Sequence, residues 1–300
     1  MKPVIFRGCG CALVTPMTQE GKIRYDVFEK LIEYQIKNQT AALIVCGSTG
    51  ESASLTDVEY ASCIRFAVET SAGRVPIIAG SGGPSTLKTI ERSRMAEELG
   101  ADALLVVTPA YSRPPQEGLT RHFSAVADAA NVPVVLYNVP SRTACSLAPE
   151  TLRILAEHPR IAAVKEADRD LGSLLKTRSF CKDLLAVYAG NDDLIAPCFS
   201  LGAIGAISVA ANLCPKEMAL LCQAGLDGEF SVLTKRQIAV SPLLDALSCA
   251  VNPIPIKEAL NLAGLPVGPC RIPLTPLSRD QRNVLYEMIE KLGIRKEWFE

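Results

Sequence analysis

Eight short runs of apolar, β-favouring residues recur along the chain, with helix-patterned stretches between them. They fall at residues 11–14, 42–45, 75–79, 103–107, 134–137, 161–165, 185–189 and 205–209. Within each run the apolar character is nearly continuous rather than alternating. Strands covered on both faces read this way, whereas a strand with one wet face alternates. The intervening stretches carry the helical period. Phe28, Leu31 and Ile32 share one face at i, i+3, i+4, with Asp26 as the expected cap, and residues 56–72 and 87–99 follow the same logic.

Two helix exits nearly repeat each other, "LGADALLVV" from Leu99 and "LGAIGAISV" from Leu201. In each, a glycine just past the helix can take the left-handed cap conformation before a strand begins. Four strand–helix units separate them, so one unit averages roughly 25 residues, within the range of a βα unit. Eight such units close as a (βα)8 TIM barrel. A doubly wound open sheet is the alternative, but no G-x-G-x-x-G opens a helix after the first run. Beyond about residue 225 the pattern is helical only, predicting a barrel over 1–225 and a C-terminal helical domain over 226–300 packed on it.

The 48% hydrophobic and 21% charged content of these 300 residues suits a globular chain. A net charge of −1, with Lys and Arg evenly scattered, leaves no basic stripe for a nucleic-acid backbone. Residues 194–215 carry no charge and are long enough to span a bilayer. Pro197, Gly202, Gly205, Asn212 and Pro215 break that stretch into helix, turn and strand, so no membrane span is expected. The eleven cysteines are dispersed and odd in number, which suits reduced thiols in a cytoplasmic protein better than a disulfide framework. Cys9 and Cys11 share one strand face, but His122 and His158 form no ligand-spaced pair with them, and no metal is expected.

Barrels of this kind carry their chemistry at the C-terminal ends of the strands. The second run ends in "CGSTGES", where Gly47 and Gly50 allow a tight turn with N–H groups near an anion, and Ser48 and Thr49 add hydroxyls. The same sequence is also simply a good turn. The fourth run leads to Tyr111, and the fifth ends at Tyr137 with Arg142 on the loop after it. Such tyrosines can be core caps and such an arginine a solvated charge, yet Arg is the natural fork for a carboxylate. The sixth run, "IAAVKEADRD", drives straight into Lys165. A lysine held in apolar surroundings favours its neutral amine, the form that attacks a carbonyl. The alternative is a lysine snorkelling to water or paired with Glu166, but adjacent strand residues face opposite sides. The seventh end, "AGNDD", offers a glycine turn with Asp192 as a helix cap, and the eighth, "ISVAAN", a backbone wall.

Together the motifs "GSTGES" at 47–52, "TPAYSRPPQEG" at 108–118, "YNVPSRT" at 137–143, "VKEA" at 164–167 and "NPIPIKEALNLAGLP" at 252–266 span nearly the whole chain. The sequence resembles the pyruvate-dependent class I aldolase/N-acetylneuraminate lyase superfamily, and most closely its 4-hydroxy-tetrahydrodipicolinate synthase (dihydrodipicolinate synthase) family. That resemblance implies a Schiff base between Lys165 and pyruvate, whose enamine attacks L-aspartate-4-semialdehyde. It implies a proton relay of Tyr137, Ser48 and Tyr111, the last reaching across from a neighbouring subunit of a dimer or dimer of dimers. Thr49 is implied to hold the pyruvate carboxylate and Arg142 that of the semialdehyde, with Gly190 and Ile207 giving backbone groups near the lysine. No metal or organic cofactor is implied. The alternatives are a lyase acting on a sugar acid such as N-acetylneuraminate or a 2-keto-3-deoxy acid, and a catalytically inactive binding barrel.

Two departures from the family pattern stand out. Ser48 replaces the more usual threonine, keeping the hydroxyl without the methyl that stiffens χ1. The positions matching the family's lysine-inhibitor pocket read Asp57, Tyr60, Pro84, Lys88 and Ala110. A cationic Lys88 and two residues without side-chain hydrogen-bonding groups predict weak or absent inhibition by lysine.

Overall fold

The computed structural model describes residues 2, 4–294 and 299. Eight parallel strands alternate with helices: β1 (Gly8–Ala12), α1 (Tyr25–Lys37), β2 (Ala42–Val45), α2 (Asp57–Ser71), β3 (Ile77–Gly80), α3 (Thr86–Glu98), β4 (Ala103–Val107), α4 (Gln116–Ala129) and β5 (Val134–Asn138). Then come α5 (Pro140–Thr143), α6 (Pro149–Leu155), β6 (Ile161–Glu166), α7 (Leu171–Cys181), β7 (Ala186–Ala189), α8 (Ile195–Ser200) and β8 (Gly205–Ser208). The strands close in chain order into a TIM barrel, β8 pairing back onto β1 from Gly8↔Gly205 to Cys11↔Ser208. After α9 (Pro215–Leu226), the chain adds only helices: α10 (Phe230–Leu247), α11 (Ile254–Leu262) and α12 (Arg279–Leu292).

Two apolar layers explain the unbroken strand hydrophobicity. Outward-facing residues such as Leu43, Val45, Leu104 and Val164 meet the helices, and inward ones such as Ile44, Leu105, Val135 and Ala163 fill the lumen. Each strand is therefore dry on both sides. At the base of the lumen Phe6 and Tyr188 stack at 4.2 Å, and the Tyr188 hydroxyl donates to the Phe6 carbonyl at 2.8 Å.

The first strand begins earlier than its apolar run predicts, at Gly8 rather than Cys11. Its two glycines have different causes: a Cβ on Gly10 would lie 2.9 Å from the Phe6 ring and 3.0 Å from Ile44, whereas Gly8 has room but takes the left-handed conformation, at φ 101°. β3 is likewise shifted, to 77–80 from the expected 75–79. Asp26 does not cap α1, because Arg24 occupies the cap position and Asp26 sits within the first turn, ion-paired to Arg24. Thr56 does open α2, in a capping box with Glu59. Gly100 and Gly202 take the left-handed conformation expected of them, at φ 92° and 87°. The uncharged 194–215 segment resolves into α8, a turn and β8, and no helix among the described residues is long and apolar enough to cross a membrane.

Candidate active site

Parallel register sets the centre of the site. Tyr137 on β5 pairs with Lys165 on β6, and Lys165 with Tyr188 on β7. Lys165 is only 4% exposed, and its Nζ lies 4.3 Å from the centroid of the Tyr137 ring, within cation–π range. Glu166, one residue on, points away from the lysine. Its carboxylate accepts from Asn138 Nδ2 at 2.9 and 3.1 Å and from the Asp168 N–H at 2.7 Å. Burial nevertheless outweighs these bonds and pushes the Glu166 carboxyl up to about 7.

A cavity of about 220 Å³ opens over Lys165 and Tyr137 and is walled by Ser48, Thr49, Arg142 and Gly190 among others. Six of the eight residues singled out from the sequence therefore meet in one space. Ile207 is fully buried in the barrel interior on β8, outside the cavity wall. Tyr111 is also outside it: the side chain is 97% exposed, at the tip of a turn where its backbone is left-handed (φ 72°).

The turn carrying Ser48 and Thr49 is built differently from its glycine pattern. The left-handed residues are Cys46 (φ 54°) and Glu51 (φ 58°), not Gly47 or Gly50. Gly50 answers to crowding, since a Cβ there would sit 3.2 Å from the Leu13 carbonyl oxygen. Behind the turn, the Glu51 carboxylate is buried against Lys257 of α11 at 2.8 Å. Lys257 donates further to the carbonyls of Thr15 (3.0 Å) and Pro269 (2.6 Å), and the second Glu51 oxygen accepts the Arg271 N–H at 2.8 Å.

Asn252 joins the two residues expected to bind carboxylates. Its Nδ2 donates to Thr49 Oγ1 at 2.9 Å, and its carbonyl accepts from Arg142 Nη2 at 2.8 Å. The Oδ1 of the same side chain is buried without a partner. Asp192 is not the helix cap it resembles, because Asn191 holds the cap position of the following turn. Its carboxylate instead takes the N–H groups of Val209 (3.0 Å) and Ala210 (2.8 Å), tying β7 to β8, and burial raises its carboxyl above the usual range. Asn252, Glu51 and Lys257 were not selected from the sequence for any role. The "NPIP" motif marks their neighbourhood, but its meaning depends on a fold that brings residues about 200 positions apart together.

Among the described residues no cluster of His, Cys, Asp or Glu could hold a metal ion. Nine of the eleven cysteines are buried, all but Cys249 and Cys270, and burial raises the thiols of Cys11 and Cys214 above their ordinary value. At the positions of the expected inhibitor pocket, Arg92 holds Asp57 at 3.0 Å and lies 5.1 Å over the Tyr60 ring.

Residues 5–292 match the model of the dihydrodipicolinate synthetase family. The 4-hydroxy-tetrahydrodipicolinate synthase of Caldicellulosiruptor saccharolyticus is 41% identical over 290 residues, covering 97% of this chain and 98% of that one. The chloride-inhibited dihydrodipicolinate synthase from Acinetobacter baumannii, solved with pyruvate, superposes with a TM-score of 0.95 at 38% identity, over 97% of this chain and all (100%) of that one. The Cyanidioschyzon merolae enzyme, solved with lysine bound, gives 0.94 at 37% identity, over 97% and 100%. A closed eight-stranded barrel with a lysine at the end of β6, matched along its whole length, places the chain in the dihydrodipicolinate synthetase family.

Proposed function

We propose that the chain condenses pyruvate with L-aspartate-4-semialdehyde to give 4-hydroxy-tetrahydrodipicolinate, a step in lysine and diaminopimelate biosynthesis. The observation that carries this reading is Lys165 itself: buried at the mouth end of β6, over the Tyr137 ring, in one cavity with Ser48, Thr49 and Arg142.

The amine of Lys165 adds to the pyruvate ketone and water leaves, forming the Schiff base. A proton lost from the adjacent methyl gives the enamine, whose carbon attacks the aldehyde. The amino group of the adduct then adds to the imine carbon, closes the ring and returns the free lysine. One water is released overall. Tyr137 and Ser48 are the proton relay, completed by Tyr111 of a neighbouring subunit in a dimer or dimer of dimers. The exposure of Tyr111 supports that role, since it reaches no part of its own cavity. Thr49, set by Asn252, holds the pyruvate carboxylate, and Arg142 that of the aldehyde. Gly190 lines the lysine's cavity, and Ile207, outside its wall, is expected to serve only through its backbone. This chemistry calls for no metal or organic cofactor, and a cytoplasmic setting suits the reduced thiols.

A sugar-acid lyase shares the Schiff base but is not favoured, because the relatives that match over nearly the full length are synthases. Incubation with pyruvate and borohydride, read by mass spectrometry, tests the mechanism: a reduced adduct on Lys165 is expected, and its absence overturns it. A coupled assay of aspartate semialdehyde against N-acetylneuraminate tests the acceptor.

A further inference from the structure

Arg169 and Asp193 stand in the wall of the same cavity, and the chemistry above uses neither. Arg169 lies on the turn between β6 and α7, Asp193 just after β7, and their side chains form an ion pair. The turn that presents Arg169 is braced from within. Glu166 takes the Asp168 N–H at 2.7 Å, Asp168 takes that of Asp170 at 3.3 Å, and Asp170 takes those of Gly172 (2.9 Å) and Ser173 (3.1 Å). The acidic side chains of the turn thus fold back onto backbone, leaving Arg169 to project.

The other charged groups in the wall already have a role in the proposed chemistry or a fixed partner. Arg142 donates to the Asn252 carbonyl, Asp192 accepts from Val209 and Ala210, and Lys165 lies deep over Tyr137. Arg169 and Asp193 differ, with side chains 69% and 43% exposed. An ion pair so open to water is weak and exchanges readily for another carboxylate. Because a guanidinium grips carboxylates through two parallel N–H groups, a small carboxylate entering the cavity competes well for it.

We propose that Arg169 is a substrate-capture residue, exchanging Asp193 for the carboxylate of an incoming keto acid or aldehyde acid, with Asp193 as the competing latch. The inference rests on the Schiff-base reading of Lys165, which makes both substrates carboxylates. A contact at the mouth, away from the reacting carbon, is equally strong before and in the transition state, so it governs KM more than kcat. A rim charge also makes capture sensitive to salt.

The test compares the full-length protein with Arg169→Gln and Asp193→Asn. Steady-state kinetics in pyruvate and in aspartate semialdehyde are measured at low and high salt, with borohydride trapping on Lys165 alongside. Arg169→Gln raises KM by about five- to twenty-fold, with a flattened salt dependence and the change falling on KM rather than kcat. Asp193→Asn frees the guanidinium and lowers KM. Two variants that raise KM alike mean that the pair only braces two turns, and the proposal is overturned, as it is by an unchanged KM and salt profile. An adduct on Lys165 of the native protein together with inert variants sinks the role of Arg169 alone. No adduct on the native protein sinks the Schiff-base reading and the capture role with it.

Discussion

Lys257 Nζ lies 2.8 Å from Glu51 Oε1, and neither side chain is more than 2% exposed. The pair joins α11 to the turn that carries Ser48 and Thr49, so α11 holds this side of the cavity mouth from behind. All three ammonium hydrogens have acceptors. Removing one partner leaves the other as an unpaired buried charge, the costly outcome for such pairs. Lys257→Met is expected to lose about 3–5 kcal/mol in urea unfolding. Activity at low temperature should fall as well, because the left-handed Glu51 loses its anchor. A loss under about 1 kcal/mol would mean that the pair is not a brace.

The Tyr137 ring lies 4.3 Å from Lys165 Nζ, and the proposed chemistry gives it a proton to move but no covalent bond to form. Tyr137→Phe should keep the ring beneath Lys165, so borohydride trapping with pyruvate persists while kcat falls by about 10²–10⁴. A variant that retains full turnover removes Tyr137 from the relay.

Tyr111 projects from its own protomer, and a partner's cavity is where its hydroxyl is expected to act. Tyr111→Phe and Lys165→Ala should each be nearly inactive alone. Mixed oligomers made by co-expression should regain activity, because a site with an intact lysine then meets an intact Tyr111 from its neighbour. If Tyr111 acts within its own chain, no mixture recovers.

Two buried groups pull the pH dependence of stability in opposite directions. Burial raises Glu166 to about 7, so the folded protein binds its proton more tightly than the unfolded chain does. Its contribution is full below an unfolded value of about 4.5 and is lost as pH rises through about 7. His122 behaves oppositely. Burial lowers it to about 4, so its contribution is present above the unfolded value of 6.5 and is lost as pH falls through about 4. The difference between parent and Glu166→Gln isolates the carboxyl. The variant should gain relative to the parent between pH 5 and 7.5, by on the order of 2–3 kcal/mol at most. A constant difference across that range would show that Glu166 titrates as an ordinary carboxylate.

Lysine should inhibit poorly. Arg92 already occupies Asp57 and covers Tyr60, and Lys88 adds a further positive charge for a cationic ligand to overcome. Rate measurements over a lysine titration should show no half-inhibition at sub-millimolar concentration, and half-inhibition there would refute the expectation.

The apolar runs, the helical spacing between them and Lys165 at the end of the sixth run are local patterns, so the barrel and the buried lysine at its mouth were legible in the order of residues alone. The strand period even placed Glu166 on the face away from Lys165. Glycine was less informative, since Gly10 and Gly50 serve close packing against Ile44 and Leu13 that a linear reading cannot see. The charged groups around the mouth were hidden for a similar reason. Asp192 looks like a helix cap until β8 is beside it, Lys257 looks like a surface residue of a late helix, and Arg169 looks like a loop charge. Hydrophobic periodicity is encoded within each element, whereas an ion pair or a capped N–H belongs to two elements far apart in sequence. Sequence by itself determined the barrel and the lysine; only closure of the barrel decided which charges share a cavity with that lysine, and only the docking of α11 gave Glu51 its partner.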